Sequence, residues 1–123
     1  MVVGVCRLRL SIEGNDSLKG KRAPLRSIID RVRSRFNAAV AEVAAQDELR
    51  LGVLGFAVVS NDASHVHQML ERIVSFIDRE GDLPIVGRET ELVHLGSALQ
   101  EERAEISGDW ADYEADDGDA EER

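Results

Sequence analysis

Residues 17–36 read SLKGKRAPLRSIIDRVRSRF, and whether this stretch forms a helix between two strands decides the fold. Leu25, Ile28, Ile29, Val32 and Phe36 recur at three- and four-residue intervals, the spacing that gathers side chains on one side of an α-helix. At roughly 100° of turn per residue, Lys19, Arg22, Arg26 and Arg33 share one exposed flank with Asp30 beside them, while Arg31 and Arg35 share the other. The apolar stripe is therefore bordered by cations. The start of the helix has two readings. Ser17 is a suitable N-cap, and Leu18, seven residues before Leu25, extends the stripe; against this, Gly20 weakens the first turn and Pro24 removes a backbone donor. Either one helix with an irregular start begins at Ser17, the reading preferred here, or residues 17–23 form a turn and Pro24 opens the regular part.

On the N-terminal side, residues 2–12 alternate and are rich in β-branched and long aliphatic residues, with Gly14, Asn15 and Asp16 supplying a turn. One face of this strand carries Cys6, Leu8, Leu10 and Ile12 and belongs against helices; the other carries Val3, Val5, Arg7 and Arg9. Beyond the helix, residues 38–45 form a second strand weakened by alanines, in which Glu42 is expected to be solvated or paired with a neighbouring arginine. Residues 49–60, LRLGVLGFAVVS, are apolar on both faces, as in a central strand, and Gly52 and Gly55 mark a bulge or a close backbone approach. Asn61 and Asp62 offer a cap for a second helix with the stripe Val66, Met69, Leu70, Ile73, Phe76 and Ile77, ending near Arg79. After Gly81, Asp82 and Pro84, residues 85–95 form a last strand whose Arg88, Glu89 and Glu91 suit a sheet edge.

The order β, α, β, β, α, β predicts an α+β fold, a ferredoxin-like βαββαβ sandwich. Both strand-helix-strand connections should be right-handed crossovers, placing two helices on one face of a four-stranded antiparallel sheet with the first and third strands central. With 123 residues, 43% of them hydrophobic, the chain suits one such domain, expected over residues 1–95. Residues 96–123, ending GDWADYEADDGDAEER, are too acidic and too poor in aliphatics to fold alone and read as a disordered tail. Trp110 and Tyr113 stand out there, since no core requires them.

The formal charge of −9 hides a segregation along the chain. The first 36 residues hold nine Lys and Arg against three Asp and Glu, whereas residues 96–123 hold two against eleven. One cysteine, Cys6, excludes an intramolecular disulfide. Arg7 and Arg9 interrupt the apolar run that a signal peptide would need, and no run approaches a membrane span, so a cytoplasmic location is expected.

VGVCRLRLSIEGNDSLKGKR, followed by LGFAVVSND and a second amphipathic helix, resembles the bacterial YlxP-like family, small cytoplasmic proteins grouped as a domain of unknown function. The resemblance covers residues 1 to about 95 and rests on SLKGKR at 17–22 and VSND at 59–62. It implies a ferredoxin-like fold and a gene often placed beside genes for transcription elongation, translation initiation and ribosome maturation. It brings no established activity. Ala23 and Pro24 depart from the more helix-friendly sequence usual after SLKGKR, and the acidic tail lies outside the shared domain.

Enzymatic chemistry finds little footing. His65 and His67 lie two apart on a helix and point in nearly opposite directions, so a shared metal is not expected, and His94 has no carboxylate or cysteine at ligand spacing. Gly20-Lys21-Arg22 lacks the remaining residues of a phosphate-binding loop. No cofactor, small-molecule substrate or membrane partner is expected. The basic helix instead offers Lys19, Lys21, Arg22, Arg26 and Arg33 as a nucleic-acid-binding set, giving an expected non-enzymatic protein associated with RNA or a ribosomal subunit. The alternative is a homodimeric interaction module using the aliphatic open face of the sheet, which carries few aromatics for stacking on bases apart from Phe56. The acidic tail, beside so basic a helix, is a candidate to fold back and screen it.

Overall fold

In the computed structural model, which describes residues 1–96, the alternation in residues 2–12 becomes strand β1 (Val2–Ser11). It is followed by helix α1 (Leu18–Arg35), strands β2 (Ala39–Ala44) and β3 (Leu51–Ser60), helix α2 (Ala63–Glu80) and strand β4 (Ile85–His94). The strands form one antiparallel sheet in the order β2-β3-β1-β4, so β1 and β3 are central and β2 and β4 are edges. The fold is the expected ferredoxin-like α+β sandwich. The acidic stretch 97–123 lies outside the described residues.

Helix α1 is a single helix begun by Ser17, whose hydroxyl accepts from the Gly20 amide at 3.0 Å. Pro24 lies inside it. Helix α2 is capped by Asp62, whose carboxylate accepts from the Ser64 amide at 3.1 Å. The stripes Leu25, Ile28, Val32 and Val66, Leu70, Ile73, Phe76, Ile77 are buried against Cys6, Leu8 and Leu10 of β1 and Leu54, Phe56 and Val58 of β3. Both helices occupy the same face, because Leu25 of α1 packs over Gly52 and Val66 and Leu70 of α2 pack over Gly4, and both glycines lie on the face shared with Leu8 and Leu54.

Three details depart from the sequence-based expectation. Gly52 makes room for the Leu25 side chain and Gly55 for that of Val43, so neither marks a backbone approach or a bulge. The register shifts lie elsewhere, between Glu42 and Ala44 on β2 and between Arg9 and Leu10 where β1 meets β4. Phe56 pairs with Cys6 and is buried beneath the helices, so among the described residues the open face lacks even that one aromatic.

Candidate nucleic-acid interface

The helix-to-edge packing that fills the core also creates a groove. Between α1 and the edge strand β2 runs an open cleft of about 750 Å³ lined by the apolar side chains of Leu18, Leu25 and Ile29 together with Arg22, Arg26 and Arg33. Lys19, Arg22, Arg26 and Arg33 are all exposed, as their helical spacing requires. Among the described residues none of these four makes an ion pair; the pairs formed are Arg7 and Arg9 with Glu89, Lys21 with Glu42, and Arg88 with Glu71. Arg33 is partly engaged, donating from Nη2 to the Val40 carbonyl at 2.9 Å and thereby covering one outward carbonyl of the β2 edge.

Lys21 does not belong to this surface, which corrects the sequence-based site. Its side chain is 3% exposed, and its ammonium donates to the Ala45 carbonyl at 2.7 Å and the Glu48 carbonyl at 2.8 Å. Glu42 Oε2 lies 3.0 Å away, yet no hydrogen bond reaches this oxygen, so the attraction is electrostatic with poor bonding geometry. All three partners come from β2 and the turn after it. A buried ammonium that donates to two carbonyls and lies against a carboxylate is unable to meet a phosphate, and Glu42 is paired with this lysine rather than with an arginine. Ala45 holds a φ of 56°, in the left-handed region, while its carbonyl accepts both from Lys21 and from the Glu48 amide at 3.0 Å.

The SLKGKR hexapeptide is thus largely architectural. Ser17 caps the helix, Lys21 pins the β2–β3 turn, and Gly20 leaves room for Asn15, because a Cβ at position 20 would lie 2.5 Å from Asn15 Oδ1. The Asn15 amide in turn donates to the Ser17 and Leu49 carbonyls, tying the start of α1 to the start of β3. Lys19 and Arg22 alone among its charged residues remain open to solvent.

A second set of arginines gathers at the other end of α1. Arg35 stacks over the Phe76 ring at 5.0 Å, and Arg31 donates to the Glu80 carbonyl at 2.8 Å. Arg72 and Arg79 of α2 line a cleft with Arg35 there, a grouping hidden in the sequence because it joins two helices. Its sequence signal is only the placement of Arg72 and Arg79 beside the α2 stripe.

Other candidate groups fall to structural roles. Burial pushes the Cys6 thiol up despite the opposing effects of the Thr90 hydroxyl and Arg88, so it stays protonated and unreactive near neutrality. A hydrogen bond from Arg7 holds the Glu89 carboxyl below its usual range. His65 and His67 are both exposed, with His65 Nδ1 3.1 Å from Ser60 Oγ, and no group of three metal-ligating side chains occurs among the described residues. No described helix is long and apolar enough to cross a membrane.

Fold and groove define a small ferredoxin-like protein with a cation-rimmed cleft beside an edge strand. Residues 3–90 match the family described as "Protein of unknown function (DUF503)", and the chain belongs to it. It is 34% identical over 77 residues to "Uncharacterized protein YlxP" of Bacillus subtilis (strain 168), an alignment spanning 63% of this chain and 84% of that one. Among solved structures it is similar to the de novo designed protein Foldit4, with 17% identity, TM-score 0.44 and coverage of 76% of this chain and 96% of the other. It is also similar to the de novo designed protein Ferredog-Diesel, with 12% identity, TM-score 0.37 and coverage of 76% and 85%.

Proposed function

We propose that the protein is a non-enzymatic RNA-binding protein that uses the α1 flank, Lys19, Arg22, Arg26 and Arg33, to hold phosphates. The carrying observation is that these exposed cations make no ion pair among the described residues, although carboxylates are abundant in the chain. The bland alternative, a basic helix neutralised by its own domain, would place carboxylates against them. From Lys19 to Arg33 the row spans about 21 Å of helix axis at 1.5 Å per residue, enough to follow several phosphates. With no aromatic on the open face among the described residues, base stacking of the kind that gives sheet-bound RNA its specificity has no platform on the sheet. Recognition should therefore be of backbone and shape. The gene neighbourhood that accompanies the family resemblance makes ribosomal RNA or a ribosomal subunit the preferred target.

The test is retention of RNA from bacterial lysate by the full chain at low and high salt, with and without nuclease. Arg22→Glu combined with Arg26→Glu should lower affinity for structured RNA at least about tenfold at low salt and reduce the salt slope by about 2, one per lost phosphate contact. Retention unaffected by the double reversal would overturn the assignment.

A second reading concerns the open sheet face. Val5, Val43, Val59 and Val93 are exposed there, with Ala39, Ala41 and Ala57 between them and a shallow hollow over Gly55. A second copy of the chain is the occupant that would bury this surface. Sedimentation of the full chain should then give a dimer that Val5→Glu with Val59→Glu converts to monomer; a monomer in the unsubstituted protein removes the reading.

A further inference from the structure

We infer that the groove between α1 and β2 docks the chain's own acidic segment around residues 109–114, DWADYE. The groove's lining combines two chemistries: aliphatic side chains, of which Leu18 stays 40% exposed, and the cations Arg22, Arg26 and Arg33. A ligand that satisfies both must bring apolar surface and carboxylates together at short spacing. DWADYE does so, with aromatic rings at 110 and 113 and carboxylates at 109, 112 and 114. Glu42, the carboxylate at the strand side of the groove, is offset by Lys21, which leaves Asp30 as the opposing charge on the rim.

Chain length permits the contact. Leu95 donates its amide to the Met1 carbonyl at 2.9 Å, fixing where the chain leaves β4. Strand β2 lies three strand spacings away, about 14 Å across the sheet. The stretch from residue 96 to 110 has a root-mean-square span of about 20 Å as a flexible chain and reaches about 45 Å when extended. At that tether length the local concentration of carboxylates around the groove is millimolar in order of magnitude. The docked segment occupies the surface assigned above to RNA, so neutralising it should tighten RNA binding several-fold at low salt. That consequence rests on the RNA reading; the docking itself does not.

Trp110 is the single tryptophan, so its fluorescence reports the contact in the full chain with no nucleic acid present. In about 0.01 M salt its emission should be blue-shifted, and acrylamide quenching reduced about twofold, relative to about 1 M salt, where the screening length falls from ~30 Å to ~3 Å. Arg22→Gln with Arg26→Gln should abolish the difference, and so should Asp109→Asn, Asp112→Asn and Glu114→Gln together. Far-ultraviolet circular dichroism confirms folding in each. A Trp110 signal indifferent to salt and to both sets of substitutions overturns the docking. A salt-sensitive signal that ignores Arg22 and Arg26 places the segment elsewhere and overturns the groove as its site. A signal that grows with protein concentration assigns the contact to a neighbouring copy and overturns the intramolecular form. Docking in the full chain, with no RNA retained even when Asp109, Asp112 and Glu114 are neutralised and the groove is freed, would sink the RNA reading and leave this one standing.

Discussion

Lys21→Met should lower stability to urea by about 2–4 kcal/mol while leaving the exposed cation row intact. Methionine keeps most of the apolar stem and removes only the ammonium. The Ala45 and Glu48 carbonyls then lose their donor, and Glu42 loses its counter-charge. Breaking a fully buried pair costs about 3–5 kcal/mol; the lower range here reflects Glu42, whose side chain is 27% exposed and finds water in part. Lys21→Arg should also destabilise, since two carbonyls placed to meet a compact ammonium do not fit a planar fork. The control is next door: Arg22→Met, at an exposed position with no ion pair among the described residues, should change stability by less than about 0.5 kcal/mol. A Lys21→Met protein with an unchanged urea midpoint would sink the account of SLKGKR as architecture. The same variant separates the two roles of α1, because it should retain RNA whenever it is folded, in contrast to the Arg22 and Arg26 reversals.

Gly4→Ala should cost about 2–3 kcal/mol through overpacking. A Cβ at this position would lie 2.4 Å from Val66 Cγ1 and 2.8 Å from Leu70 Cδ1. Val66 is β-branched and sits directly on the helix backbone, so its methyl has little freedom to move aside, and α2 itself must shift from β1. Val66→Ala alone leaves a cavity at a fully buried site. The double substitution places the new methyl where the lost one stood, and its urea midpoint should lie well above the sum of the two single effects. Additive losses would mean that Gly4 matters for strand conformation rather than for helix approach.

Much of the fold was legible because its signals are local. The two-residue alternation of 2–12, the apolar run of 49–60 and the two helical stripes each lie within one element, and a strand-helix-strand unit leaves few ways to bury them. The start of α1 was legible only as two alternatives, of which the Ser17 cap forms, while Leu18, expected to extend the buried stripe, stays 40% exposed. The site was legible only in part. Lys19, Arg22 and Arg26 lie where helical spacing puts them, exposed on one flank.

Lys21 shows the boundary. From its neighbours it is one more cation in GKR, but it lies four residues before Leu25 and seven before Ile28, on the side of the helix that carries the apolar stripe, whereas Arg22 lies on the flank. Its burial is set by carbonyls 24 and 27 residues further along, in a turn whose placement depends on β2 pairing with β3 and packing beside α1. Gly20 is similar: in a helix it reads as a weakness, until Asn15 is seen to occupy the space a side chain would need. Sequence by itself determined the order of elements, the buried stripes and the sign of charge on each segment, because periodicity and composition act over a few residues. Only the tertiary structure decided how a charge on the buried side is partnered, and so that Lys21 is held by the turn after β2, because desolvation and hydrogen bonding depend on groups that the chain brings together from a distance.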